Sequence, residues 1–222
     1  MKKLLFAVFA LSSMVAMAES QTHFYGKLGV DLSTKYAAVK DDEDGSTLFK
    51  SSKGRGVGIF LEATRDVQPN LELGLGIGYI GRANGDDGSS NETDEDDGTI
   101  YTVKYNTPRY NSVPLYVLAK YNFDIDSKVR PYVKADLGYS FNRDKKLDVM
   151  VGNEKVGAVD MKVKNGVYAG VGAGIEYNHF IAELSYHYTQ AKMSIKEANE
   201  DVLGGSKKYG NHAVSLAVGY KF

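Results

Sequence analysis

The sequence contains no cysteine and no tryptophan, and it has only four prolines. Without cysteine, neither a disulfide framework nor a thiolate metal site can form. Lysine and arginine number 27 against 28 aspartates and glutamates, so the charge balance gives no general argument for nucleic-acid binding. No long apolar run follows the first 18 residues, so no transmembrane helix is predicted. A membrane could then accept the chain only as a closed barrel.

The first 18 residues have the three parts of a secretory signal peptide. Two lysines follow the initial methionine, the apolar core LLFAVFAL comes next, and Ala16 and Ala18 form an A-x-A cleavage site. The apolar core is too short to span a bilayer, which needs roughly 20 helical residues. We therefore predict a signal peptide over residues 1–18, with a buried N-terminal helix as the alternative. The predicted mature chain, residues 19–222, has the length of one domain.

Alternation of apolar and other residues predicts eight β-strands, of which the third, residues 71–82, is the most regular and the last is the one that organises the chain. Successive side chains of a strand point to opposite faces. In the segment 212–222, one face is entirely apolar and ends in aromatic residues. That face carries Val214, Leu216, Val218, Tyr220 and Phe222. The other predicted strands cover residues 22–33, 56–65, 71–82, 112–123, 130–142, 166–177 and 180–189.

The connections between these strands alternate between long and short. The short turns are residues 66–70, 124–128 and 178–179, and the long loops are about 34–55, 83–111, 143–165 and 190–211. This alternation is typical of an up-and-down barrel whose termini and short turns are periplasmic and whose long loops are extracellular. The predicted fold class is all-β, an eight-stranded antiparallel up-and-down transmembrane β-barrel.

A soluble β-sandwich would show the same alternation, so further features must separate the two folds. Aromatic residues of the apolar faces cluster at both strand ends, with aliphatic residues between them. This distribution matches a bilayer and its two interfaces. Glycines such as Gly74, Gly76 and Gly78 on the other face would leave space for long side chains in a narrow barrel. Both features favour an outer-membrane barrel.

Several segments carry a family resemblance: the N-terminal signal and residues 113–116, 119–123, 130–133, 170–177 and 219–222. Together they resemble the outer-membrane β-barrel domain family, which includes opacity-type surface proteins and the membrane domain of outer membrane protein A. The resemblance implies that the five apolar residues of the last strand, Val214 to Phe222, are an assembly signal for the barrel-insertion machinery. It leaves the function open, because the family includes adhesins, structural anchors and small pores.

Ten charged residues, six acidic and four basic, fall on the polar faces of the predicted strands, with Arg82 near a rim. An unpaired charge in a narrow interior would be costly, so we predict ion pairs. The pairs could form a gated polar conduit or a static network. The static network is favoured because an eight-stranded barrel is just wide enough for side chains to fill it. The ten residues are Lys27, Asp31, Glu62, Glu72, Lys120, Lys134, Asp136, Glu176, Glu183 and Lys221.

No metal site, cofactor or catalytic site is predicted. In the first acidic loop, Lys40 and Ser51 occupy the first and twelfth positions of a calcium loop, and the second acidic run has Lys104 at its last ligand position. Glu183, Ser185 and His187 share one face of the seventh predicted strand, where a nucleophilic triad would need mutual hydrogen bonds. We interpret the three as interior lining.

The sequence thus predicts an integral protein of the bacterial outer membrane that acts through its long loops, because recognition usually lies in loops on a rigid scaffold. The first functional hypothesis is a surface-exposed interaction or envelope-integrity protein. The alternatives are a small porin-like channel for ions or polar solutes and an envelope lipid-modifying enzyme. Expected partners are outer-membrane lipid and lipopolysaccharide, the barrel-assembly machinery, and a host or envelope protein bound by the loops; nucleic acid is not expected.

Overall fold

A computed structural model describes residues 21–37, 39–40, 47–49, 51–83, 87–93, 100–106, 109–143, 145–151, 154–197, 200–201 and 207–222. The predicted signal peptide, with its cleavage residues Ala16 and Ala18, lies outside the described residues. Within those ranges, no helix is long and apolar enough to cross a membrane.

In the described part of the chain, eight long strands form a closed antiparallel barrel, which confirms the predicted fold. Each strand pairs with the next, and the last also pairs with the first. The strands are β1 (Thr22–Tyr36), β2 (Gly56–Gln68), β3 (Leu71–Arg82), β4 (Asn111–Asn122), β5 (Val129–Arg143), β6 (Gly166–Tyr177), β7 (Phe180–Thr189) and β8 (Asn211–Lys221).

The apolar faces of the strands point outward and the polar faces point inward. Leu28, Val57 and Leu137 are each about 60% exposed although they are large and apolar. Such a continuous exposed apolar surface is stable only against lipid. Exposed aromatic side chains border it at both ends. Those at the end with the short turns are Phe24, Tyr121, Phe123, Tyr177, Phe180, Tyr220 and Phe222, and those at the opposite end include Tyr79, Tyr139, Phe141 and Tyr186.

The barrel closes between β1 and β8, as expected for an up-and-down barrel. The pairing runs from Tyr25 opposite Lys221 to Tyr36 opposite Asn211, with a register shift between Asp31 and Ser33. The amide of Phe222 also donates to the carbonyl oxygen of Phe24 at 2.9 Å. These bonds satisfy the backbone groups of both strands, which lipid could not do.

We call the two ends of the barrel the short-turn end and the long-loop end. The turn at Asn178 and His179 requires a left-handed backbone at Asn178, whose φ is 56°. Asparagine tolerates this conformation better than most residues. The predicted two-residue hairpin is therefore formed.

The predicted long loops contain strands of their own. In the loop 143–165, alternation predicts that segments 147–151 and 156–163 continue the hairpin above the membrane, and Lys145–Val151 does pair with Glu154–Lys164. Six of these outer strands form one sheet in the order Glu200–Asp201, Lys192–Glu197, Glu154–Lys164, Lys145–Val151, Ile100–Asn106 and Asp87–Thr93. Lys207–Lys208 also pairs with this sheet, Ser52–Gly54 pairs with β1, and Val39–Lys40 pairs with Thr47–Phe49. Hairpin pairing thus continues past the barrel because the backbone groups there still need partners.

Candidate functional site

The barrel interior holds a cluster of charges near the short-turn end, which we call the lower cluster. Lys120 Nζ lies 3.2 Å from Glu72 Oε1 and 3.1 Å from Glu176 Oε2. Lys221 Nζ lies 3.1 Å from Glu176 Oε1. Glu72 on β3 is directly opposite Lys120 on the neighbouring β4, whereas Glu176 on β6 and Lys221 on β8 come from strands further around the barrel. The lower cluster therefore neutralises two carboxylates with two ammonium groups.

Glu72 is the best-satisfied carboxylate of the lower cluster, and it is only 2% exposed. The hydroxyl of Tyr25 donates to its Oε2 at 2.8 Å, and the amide of Asn122 donates to its Oε1 at 2.7 Å. The hydroxyl of Thr64 also donates to Oε2. With Lys120, four donors surround one carboxylate, which is close to its full capacity of about four lone-pair positions. Such a carboxylate is fixed in place.

A central cluster lies further inside the barrel and joins five charged residues. Lys134 Nζ lies 2.8 Å from Glu62 Oε1, 3.2 Å from Glu183 Oε1 and 3.3 Å from Asp136 Oδ2. Lys27 Nζ lies 2.8 Å from Glu62 and 3.0 Å from Glu183. Three carboxylates thus share two ammonium groups in a buried position. Each lysine holds carboxylates of different strands, so the central cluster ties opposite walls of the barrel together.

Tyrosines connect the two clusters and complete the hydrogen bonding. Tyr132 donates to Glu183 Oε2 at 2.8 Å, and its ring lies 4.7 Å from Lys120 Nζ. Tyr116 donates to Glu62 Oε1 at 2.8 Å. The ring of Tyr116 passes over Gly76, where an added Cβ would lie 2.3 Å from ring carbons. The glycine is therefore needed for the close approach of the ring, as expected for a narrow barrel.

The candidate triad on β7 does not assemble as a catalytic triad. Ser185 Oγ lies 2.8 Å from His187 Nε2, but the partner of His187 Nδ1 is the hydroxyl of Tyr168, also at 2.8 Å. Glu183, which would have to orient the histidine in such a triad, is held instead by Lys27 and Lys134. Phe60 stacks on the His187 ring with 5.9 Å between ring centroids. The serine and histidine are enclosed by side chains, which supports their interpretation as interior lining.

Three tyrosines and two arginines fill the long-loop end of the barrel, and we call them the tyrosine–arginine plug. The stacked rings of Tyr36 and Tyr209 have centroids 5.3 Å apart, and Tyr110 meets both edge-on. Arg82 donates to the carbonyl oxygen of Tyr110 at 3.0 Å and to the Ser112 hydroxyl at 2.7 Å. All three rings are almost completely buried.

Contacts to backbone oxygens hold the plug in the barrel. Arg109 donates to the carbonyl oxygen of Ala83 at 2.8 Å and to that of Lys53. Tyr110 donates to the carbonyl oxygen of Thr189 at 3.0 Å. Burial raises the pKa of Tyr110 well above its ordinary value, so this hydroxyl remains a donor. The plug therefore connects several strands at the barrel end.

The space left between these side chains is small. Three cavities of about 10 Å³ each lie inside the barrel. One adjoins Asp31 and Arg82, a second adjoins Ser185 and His187, and a third lies between the lower and central clusters. A volume of this size is enough for about one water molecule. Neighbouring cavities share lining side chains: Phe60 and His187 line the first two, and Lys134 lines the second and the third.

His23, Asp66 and Glu72 form the one group of described side chains with the spacing of a metal site, their ligand atoms lying within 4.8 Å of one another. His23 Nε2 is 3.2 Å from Asp66 Oδ2. Glu72, however, already accepts four hydrogen bonds, one of them from an ammonium group. A cation would have to displace these donors, so the group does not fit a metal ion.

The structure places the ten sequence-predicted interior charges on inward-facing positions. Eight of them are buried, and Asp31 and Lys221 are half-buried. Asp31 accepts from the Ser215 hydroxyl at 2.6 Å. On β8, the five apolar residues proposed as the assembly signal point away from the interior. Whether they act as that signal stays a prediction.

Sequence reasoning missed the tyrosine–arginine plug, apart from Arg82. Tyr110 lies directly before β4 and Tyr209 two residues before β8, and each falls on the inward-facing alternation of its strand. Extending that alternation beyond the predicted limits would have identified both. Tyr36 ends β1 beyond the register shift between Asp31 and Ser33, which exchanges the inward and outward positions, so the alternation could not have identified it.

Comparison with known proteins is consistent with this geometry. The family model of the outer membrane protein beta-barrel domain matches residues 4–222. An uncharacterized protein of Pasteurella multocida (strain Pm70) is 31% identical over 235 residues, covering 100% of this chain and 98% of the relative. Neisserial surface protein A is similar at 16% identity and a TM-score of 0.42, covering 92% of this chain and 99% of that one.

OprG of Pseudomonas aeruginosa is similar at 16% identity and a TM-score of 0.43, covering 92% of this chain and 97% of that one. The family model and the Pasteurella relative each cover the whole predicted barrel. The family indicates the bacterial outer membrane as the location of the protein. The chain belongs to the outer membrane protein beta-barrel domain family.

Proposed function

We propose that the protein is a non-conducting outer-membrane scaffold that acts by surface interaction at its long-loop end. The observation that carries this proposal is the filled interior. The lower cluster, the central cluster and the tyrosine–arginine plug follow one another along the barrel. Ion flow needs a continuous wet path, and the cavities between these groups have room for about one water molecule each.

The parts available for interaction are the outer strands and the connections between them. Six outer strands pair into a single sheet, so the segments that carry them are joined by backbone hydrogen bonds. Binding sites are often carried by segments that a rigid scaffold positions. The proposal also places the short turns and the termini in the periplasm, the usual arrangement in this class of barrel.

The porin-like alternative predicts a different electrical behaviour, so conductance separates the two. Pure refolded protein in a planar bilayer should give no current steps above the empty bilayer. As a control, a variant with residues 84–108 replaced by a short turn should be equally silent, because it retains Ala83, Arg109 and the rest of the plug. Reproducible current steps from the wild-type protein would contradict the proposal.

The same variant tests the role of the outer sheet, since it lacks the strands Asp87–Thr93 and Ile100–Asn106. Bacteria displaying it should adhere less to host-cell monolayers, or resist detergent less well, than bacteria displaying the wild-type protein. A heat-induced gel shift would verify that its barrel is intact. Unchanged adhesion and unchanged detergent resistance with an intact barrel would contradict a role for this part of the outer sheet.

A further inference from the structure

Three inward-facing positions form a row across neighbouring strands of the barrel. Asp136 on β5 is directly opposite Gly170 on β6, and Gly170 is directly opposite His187 on β7. A Cβ added at Gly170 would lie 3.0 Å from Asp136 Oδ2 and 2.9 Å from His187 Nδ1. The glycine therefore leaves a space that a carboxyl group and an imidazole enter from its two sides.

Both ring nitrogens of His187 have hydroxyl partners. Ser185 Oγ lies 2.8 Å from Nε2, and the Tyr168 hydroxyl lies 2.8 Å from Nδ1. A hydroxyl can donate or accept, so these partners suit a neutral imidazole and an imidazolium equally well. The side chain is buried, so a positive charge on His187 needs an anion inside the barrel. Asp136, across Gly170, is in position to provide it.

Asp136 is the least satisfied carboxyl group of the central cluster. It is buried, and its Oδ2 lies 3.3 Å from Lys134 Nζ. Its Oδ1 has no hydrogen-bond donor among the described residues. Glu62 and Glu183, in contrast, each accept from a tyrosine hydroxyl in addition to lysine. An unpaired buried oxygen is less costly on a neutral carboxyl group than on a carboxylate.

The charges around this row leave one negative charge in excess. The central cluster has three carboxylates and two ammonium groups, so one added proton would make it neutral. The strands packed around Asp136 and His187 bring further titratable or charged groups to the pair, and β8 contributes the neutral Ser215. These groups are Lys27 and Asp31 of β1, Glu62 of β2, Arg82 of β3, Tyr116 of β4, Lys134 of β5, Tyr168 of β6 and Glu183 of β7.

We propose that Asp136 and His187 share one proton across Gly170 in the folded barrel, and that this proton preserves the stability of the barrel in a mildly acidic medium. The proton comes from the solvent as the pH falls and is held between Oδ2 and Nδ1, so the two groups titrate as a unit. The inference goes beyond the proposed surface role and does not depend on it.

The benefit follows from the protons bound by the folded and the unfolded chain. A histidine in an unfolded chain takes up a proton below about pH 6.5. If the folded barrel took up none, it would lose stability as the pH fell further, because the unfolded chain would then bind more protons. A proton shared by Asp136 and His187 in the folded barrel cancels this loss.

Replacement of Asp136 by asparagine removes the anion from the pair. In D136N, His187 should stay neutral in the folded barrel but become protonated in the unfolded chain. Relative to the wild-type protein, the unfolding equilibrium constant should rise about tenfold for each pH unit below about 6.5. Urea unfolding in a nonionic detergent, followed by circular dichroism from neutral to mildly acidic pH, measures this change.

The matched control is E176Q, which removes a carboxylate from the lower cluster and leaves the row at Gly170 intact. Its loss of stability should be the same at every pH of this range. A D136N protein with the pH response of the wild-type protein would overturn the proposal.

The double variant D136N/H187Q separates loss of the shared proton from general damage to the interior. It lacks the histidine that takes up a proton in the unfolded chain, so its pH response should return to that of the wild-type protein. This should hold although the double variant is no more stable than D136N at neutral pH. A double variant as sensitive to acid as D136N would contradict the shared proton.

Gly170→Ala tests the space between the two groups and remains informative if D136N does not fold. The added methyl group would separate Asp136 from His187 without removing either, so G170A should lose stability in acid as D136N does. G172A is the matched control on the same strand, because its Cβ would lie 3.1 Å from Ser185 Cβ, an equally close site that leaves the pair together. Equal pH responses of G170A and G172A would overturn the proposal, and none of these results would alter the conductance test.

Discussion

Lys134 contacts three carboxylates, more than any other described lysine. Its replacement by methionine would leave Glu62, Glu183 and Asp136 close together with Lys27 as the remaining cation. Removing one partner of a buried ion pair costs about 3–5 kcal/mol, chiefly because the other charge stays buried. We therefore expect K134M to unfold at a clearly lower urea concentration than the wild-type protein in detergent.

Lys221→Met is the matched control for this substitution. Lys221 contacts a single carboxylate, that of Glu176, and its side chain lies near the barrel rim. Glu176 would retain Lys120, so the expected loss is about 1 kcal/mol or less. Equal losses in K134M and K221M would show that the central cluster has no special importance for stability.

The sequence predicted which charges lie inside the barrel but could not predict their partners. Lys27 and Glu183 are on β1 and β7, and their contact depends on the stagger of the strands around the barrel. The two-residue period specifies the face of a side chain and not its height. The same limit applies to Ser185 and His187, whose third partner, Tyr168, comes from the neighbouring strand.

At the scale of the single element, β8 shows how depth in the bilayer controls the effect of a substitution. Leu216 is near the middle of the strand and its side chain is exposed on the outer surface. An arginine on the lipid face costs about 2–4 kcal/mol at the midplane and about 0–1 kcal/mol near an interface. We expect L216R to be much less stable than the wild-type protein in lipid vesicles.

Tyr220→Arg provides the comparison, since Tyr220 lies on the same face of β8 within the aromatic band. The unfolding free energy of Y220R should stay close to that of the wild-type protein. If Y220R lost as much stability as L216R, the assignment of the bilayer midplane on this strand would be incorrect.

The strands of the barrel could be predicted more completely than the strands outside it. In Leu71–Arg82, one face contacts lipid and the other packs in the barrel interior. Each residue type in this strand therefore indicates the face on which the side chain lies. The outer strand Asp87–Thr93 has the sequence DGSSNET, which lacks apolar residues altogether. Its pairing with Ile100–Asn106 satisfies backbone groups and does not depend on an apolar face. A sequence pattern therefore cannot distinguish such a strand from a loop.

At the scale of the whole molecule, the orientation of the barrel can be tested because the chain has no cysteine. Single cysteines are introduced as S89C in an outer strand and D126C in a short turn. A membrane-impermeant maleimide should label S89C on intact cells and should label D126C only after the outer membrane is opened. Labelling in the opposite order would reverse the orientation proposed for the protein.

Closure of β8 onto β1 also has a consequence for how the protein folds. Asp31 and Ser215, which hydrogen-bond at this junction, are 184 positions apart in the chain. Hairpins such as β6–β7 need only local contacts, whereas this junction must wait until the whole chain is available and must overcome a large loop-closure entropy. The last contact to form is therefore also the most non-local one. An incompletely closed barrel would retain two unpaired strand edges, which makes premature insertion and aggregation the main hazards of its folding.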